Sequence, residues 1–168
     1  MNFTRGKNYL YVSGVILVFA FIQNLLSGIF MLFTNITMIF DIVYQNEAIL
    51  YCLGGAFFLC IGLVEGYCSY LSFKNAKVTN KDIMTKCKFW AKICLICIVL
   101  DSLVSLFLLG EVYTTALMIA APIILIKGAN RNINSANMFI EKFNNPYEEK
   151  KEDSTSKQSE NYENDKLE

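Results

Sequence analysis

Four stretches of this chain stay apolar for longer than a water-soluble core of its size can use. They run Tyr9 to Phe33 ("YLYVSGVILVFAFIQNLLSGIFMLF"), Ala48 to Phe73 ("AILYCLGGAFFLCIGLVEGYCSYLSF"), Ile93 to Leu109 (within "CKFWAKICLICIVLDSLVSLFLL") and Val112 to Ile126 ("VYTTALMIAAPIILI"). A helix needs about 20 mostly apolar residues to cross a hydrocarbon layer roughly 30 Å thick. The first two runs exceed that length. The third reaches it by starting at Phe89, where Phe89 and Trp90 sit beside lysines as interfacial anchors do. The fourth has only 15 residues, so it must tilt little or extend to about residue 130. Of the 168 residues, 54% are apolar. A soluble domain this small leaves much of its surface in water, whereas a bilayer itself solvates apolar faces. The expected fold is all-α: an integral membrane four-helix bundle of two antiparallel hairpins. Its spans are 9–33, 48–73, 89–109 and 112–130, in a membrane domain of 9–140 between an N-terminal segment of 1–8 and a disordered tail of 141–168.

Basic residues orient such a chain, because cytoplasmic segments carry the excess of lysine and arginine. Arg5 and Lys7 precede the first run. The next connection has only Asp41 and Glu47, and the one after it, "KNAKVTNKDIMTKCKFWAK", has six lysines. Glu111 alone separates runs three and four, and Lys127 and Arg131 follow the last run. The alternation predicts a multi-pass cell-membrane protein with both termini cytoplasmic. Arg5 and Lys7 also resemble a signal-peptide n-region, but the apolar run is too long and no small-residue cleavage pattern follows, so it reads as an uncleaved span. Past residue 127, Ile133, Ala136, Ile140 and Phe143 recur at helical spacing. This suits a short amphipathic helix on the cytoplasmic surface; the alternative is a fourth span that simply continues. The tail carries nine acids and five bases and almost nothing apolar, a composition that cannot build a core.

Composition removes several chemistries. There is no histidine, hence no His-ligated metal and no Ser-His or Cys-His pair. Five of the six cysteines lie in apolar runs, where thiols act as small packing groups. The Cys94–Cys97 CxxC lacks the βαβ context of a redox motif. No phosphate loop, nucleophile elbow or dinucleotide fingerprint is present. The expectation is no catalytic residue, no metal, no cofactor and no nucleic acid. The partners are the lipid bilayer and either another membrane protein or further copies of this chain.

What remains are polar and small residues inside the runs. At 100° per residue, Ala48, Gly55, Gly62, Gly66 and Ser69 form one small-residue stripe along the second span. Such stripes let helix backbones approach closely, either within one bundle or between two copies. In the third span Cys94, Cys97, Asp101, Ser105 and Leu108 share a face, so Asp101 points into the bundle. A charged carboxylate at the bilayer centre costs about 3 kcal/mol on insertion scales; the cheaper state is neutral and hydrogen-bonded. Asn24 or Gln23 of the first span, with Ser102 and Ser105, are its candidate partners. Glu65 is the second acid. A hairpin through the lysine-rich connection brings it to the depth of Asp101, a pair able to share a proton or hold a cation. A weak tandem repeat gives another placement: it pairs Asn24 with Asp101 and Glu65 with Lys127, and puts Glu65 at the cytoplasmic edge. Two functions follow. One is a non-catalytic accessory, interaction or immunity-type subunit in which Asp101 holds helices together. The other is a small proton- or cation-coupled carrier or channel working through Asp101 with Glu65.

Overall fold

The computed structural model describes residues 5–41, 43–110 and 116–144. Among them the chain is all-helical: α1 (Lys7–Asn35), α2 (Gln45–Lys74), α3 (Lys81–Leu109) and α4 (Ala116–Asn144), with one 3₁₀ turn at Met38–Phe40. All four helices are long and apolar enough to cross a membrane. Of the tail expected to be disordered, residues 141–144 belong to α4, and residues 145–168 lie outside the described residues.

The helices pack in a ring. α2 lies between α1 and α3, and α4 closes the ring between α3 and α1. Neighbours run antiparallel. Along α1 and α4, Gly6 meets Asn132 while Ser13 meets Ala121. Along α1 and α2, Leu10 meets Ser72 while Gly28 meets Gly55. Along α2 and α3, Asn75 meets Cys87 while Gly54 meets Leu108. Buried Leu10, Leu17, Cys68, Met84, Cys94, Ile98 and Leu125 fill the centre. Phenylalanines and aliphatic residues such as Phe19, Phe30, Leu63, Leu103 and Phe107 stand exposed on the outside. Apolar groups on both sides of a helix are what a bundle solvated by lipid requires.

Two expectations of extent are corrected. The lysine-rich stretch is not a loop along its whole length. α3 begins at Lys81, because Asn80 caps it: the Asn80 side chain accepts from the backbone N–H groups of Asp82 (2.8 Å) and Ile83 (3.2 Å), satisfying donors a helix start leaves open. Lys81, Lys86, Lys88 and Lys92 therefore ride on the first turns of α3. Nor does a separate amphipathic helix follow the fourth span. α4 continues unbroken, through Pro122, to Asn144. The reason lies in its inner face, where Ala121, Leu125, Gly128, Ala129, Asn132 and Ser135 are all buried, so packing persists beyond the apolar run. Gly110 ends α3 at φ 71°, a left-handed conformation open to glycine at little cost.

Candidate functional site

The small-residue stripe of α2 faces α1. Gly28 and Gly55 stack backbone on backbone: a Cβ on Gly28 would lie 2.7 Å from the Gly55 carbonyl oxygen, and one on Gly55 would lie 2.9 Å from that of Gly28. Further along, Gly62 sits against Asn24, Gly66 against the Phe21 ring, and Ser69 donates to the Gly14 carbonyl at 2.9 Å. Of the two uses open to the stripe, packing inside one chain is the one seen.

That close approach brings Asn24 of α1 onto Glu65 of α2. Asn24 Nδ2 donates to Glu65 Oε2 at 2.9 Å, and the Glu65 residue is only 1% exposed. Asp101, 6% exposed, is buried in the same interior from α3. Three helices thus converge on one polar cluster, with Ser105 buried one turn along α3 from Asp101. Gln23 is half-buried. The arrangement differs from the expectation in three ways. The Asn24 amide serves Glu65 rather than Asp101. Ser102 Oγ donates back to the Ile98 carbonyl of its own helix, at 2.9 Å. Glu65 does not meet Lys127, whose ammonium lies 5.7 Å from the centre of the Tyr9 ring.

The pairing of α2 with α3 also shifts the relative depth of the acids. Asn75 Nδ2 donates to Cys87 Sγ at 3.5 Å, Cys68 Sγ donates to the Trp90 carbonyl at 3.4 Å, and Gly54 lies against the Leu108 side chain. Counted along the two helices, this register sets Glu65 opposite Cys97. Asp101 therefore lies about one turn further along the bundle, roughly 6 Å at 1.5 Å per residue. The two carboxyls are staggered neighbours, not partners at one level. Cys94 and Cys97 of the CxxC are one helical turn apart, both as free thiols. Among the described residues, no three cysteine, aspartate or glutamate side chains converge in a way that could hold a metal ion. Of the aromatic residues in α2, Phe58 is buried, and Tyr51 and Phe57 are half-buried.

One polar centre escaped sequence reasoning. Asn132 of α4 is fully buried. Its Oδ1 accepts from the Gly6 backbone N–H at 2.8 Å, and its Nδ2 donates to the carbonyls of Ala76 (3.2 Å) and Val78 (3.0 Å). A single amide joins the start of α1, the α2–α3 connection and α4. Nearby, Ser13 donates to the Ala121 carbonyl at 2.8 Å, and Ser72 donates to that of Leu10. The signal was present in the spacing of Ala121, Leu125, Gly128, Asn132 and Ser135 by threes and fours, which marks one helix face; the asparagine-rich run around it reads as ordinary polar surface. No family model, no curated protein and no solved structure matches this chain.

Proposed function

We propose that the chain crosses the cell membrane four times with both termini in the cytoplasm. It acts there as a non-catalytic accessory or immunity-type subunit, engaging another membrane protein or further copies of itself through the lipid-facing sides of its helices. The observation that carries this reading is how the interior polar groups are used: they bond helix to helix. Asn24 holds Glu65, Ser13 and Ser69 reach across to neighbouring backbones, and Asn132 ties three segments together. Such bonds average well under about 2 kcal/mol each in membranes and serve to fix helix rotation and register. What supports the orientation is that the basic residues in the described helices and the α2–α3 connection cluster at one end of the bundle, as cytoplasmic segments carry the excess of lysine and arginine. Connections between helices are short, so a partner has mainly the lateral apolar surface to grip. Affinity purification from native membranes in mild detergent tests the proposal. A stoichiometric membrane partner, or a defined homo-oligomer, is expected; a monomer that brings down nothing would defeat it.

The nearness of Glu65 to Asp101 favours a second reading, a small carrier or channel that moves a proton or cation through this cluster. In proteoliposomes it requires a pH-dependent flux that Glu65→Gln and Asp101→Asn each abolish while the protein stays folded.

A further inference from the structure

A groove of about 420 Å³ runs down the outside of the α1–α2 pair, walled by Val18, Phe21 and Ile22 on one side and by Leu63, Tyr67 and Tyr70 on the other. Gly66 and Ser69 form its floor and Phe73 its upper end. Along α2 it extends from Leu63 to Phe73, about 15 Å at the helical rise. That is half of a hydrocarbon layer about 30 Å thick, the depth of one leaflet. The mouth lies at the lysine-rich end and carries a cation from each wall. Lys74 Nζ lies 5.2 Å from the centre of the Tyr70 ring. Lys7 Nζ lies 5.8 Å from that of Tyr11, whose ring in turn pairs with Phe73 at 6.0 Å. Each ammonium is held near an aromatic ring at this end of the α1–α2 pair.

We propose that this groove binds one anionic phospholipid of the cytoplasmic leaflet, with an acyl chain against Phe21, Leu63 and Gly66 and its phosphate between Lys7 and Lys74. The inference rests on the membrane-spanning reading above. Charge selects the occupant: the cytoplasmic leaflet is the anionic one, and a lysine near its surface contributes about fivefold in affinity. Depth selects the chain, since the apolar wall ends one leaflet below the lysines. Ser69 takes no part in recognition, because its hydroxyl already donates to Gly14.

The test is native mass spectrometry of the detergent-solubilised protein, titrated with phosphatidylglycerol or with phosphatidylcholine of identical chains. Wild type should saturate at one tightly held phosphatidylglycerol, preferred over phosphatidylcholine by about 25-fold, the product of two lysines at about fivefold each. Lys7→Gln with Lys74→Gln should bring that ratio close to one, while Lys88→Gln with Lys92→Gln leaves it unchanged. Val18→Phe, or Ile22→Trp on the exposed rim should the first lose helicity, should weaken both lipids. A ladder of bound lipids with no step at one, a preference indifferent to Lys7 and Lys74, or full binding in a folded groove-filling variant overturns the site. Alkaline extraction separates the two levels of failure. A protein that stays with the membrane yet shows no lipid preference refutes the groove alone; one released into the supernatant refutes the membrane reading beneath it.

Discussion

Adding one methyl group at Gly28 should destabilise the bundle, whereas the same change at Gly62 should not. A Cβ at position 28 meets the Gly55 carbonyl oxygen at 2.7 Å and the Leu59 side chain at 2.8 Å. Ordinary contact begins near 3.4 Å, so about 0.7 Å of separation is needed, and the atom in the way is backbone. Leu59 can rotate aside; the carbonyl moves only if α1 and α2 part. A gap of that size forfeits a quarter to a half of each dispersion contact it opens, and overpacking of this kind costs about 1–3 kcal/mol. Replacing glycine with alanine inside a helix returns about 0.5–1 kcal/mol, which leaves Gly28→Ala less stable by up to about 2.5 kcal/mol. At Gly62 the nearest atom to a new Cβ is Asn24 Cβ at 3.4 Å. Nothing must move there, and the helix-forming gain makes Gly62→Ala neutral to about 0.5–1 kcal/mol more stable. Denaturation with sodium dodecyl sulfate in mixed micelles, followed by helicity, measures both. Equal losses at the two positions, or a larger loss at Gly62, would refute the register from which these distances come.

Asn132→Ala strands one buried N–H and two carbonyls, each a loss of about 1–3 kcal/mol, so it should destabilise by at least about 3 kcal/mol in the same titration; Asn130→Ala, on the exposed side of α4, should change nothing. Asn24→Leu removes the donor to Glu65 and should cost about 1–3 kcal/mol, and Glu65→Gln should restore part of it in the double variant, since an amide without its partner is less costly than an acid. In a variant keeping only Cys68 and Cys94, copper-phenanthroline oxidation should remove both alkylatable thiols, while a variant keeping Cys60 and Cys94 should retain them; the reverse would break the α2–α3 pairing. For sidedness, cysteines introduced at exposed Lys77 and Asn46 should react with an impermeant maleimide from opposite faces of the membrane, and labelling of both from outside intact cells would reverse or abolish the proposed orientation.

The helices are legible in the sequence because apolar runs of spanning length have few other uses. Their ends are less so. Lys81 to Lys92 looks like loop when charge alone is counted, yet Asn80 supplies a helix start and Asp82 sits in its first turn. The end of the fourth span is hidden for the opposite reason: among the described side chains of α4 the last buried ones are Asn132 and Ser135, and hydropathy scores them as exterior. Within the site, the stripe on α2 and the inward face of Asp101 can be read from periodicity. What Glu65 meets cannot, because that depends on which residues of α1 and α2 lie opposite, and the backbone contact of Gly28 with Gly55 decides it. Gly28 lies on the buried face of α1 with Ser13, Gly14, Ala20 and Asn24 but in no GxxxG pair, whereas the GxxxG pair at Gly62 and Gly66, more conspicuous in the sequence, makes looser contacts.

The amide of Asn132 reaches a backbone group 126 residues earlier in the chain. At about 5–20 residues per second, a ribosome needs roughly 6 to 25 s to make the intervening polypeptide. On the membrane-spanning reading proposed above, the first hairpin, once made, sits in the bilayer with the start of α1 lacking its mate, and the carbonyls of Ala76 and Val78 wait alongside for the rest of that interval. Arrival of the last helix closes all three at once. Maturation of this protein should therefore be a single late event, and nascent chains arrested before residue 132 should remain as accessible to protease at the start of α1 as unassembled helices are.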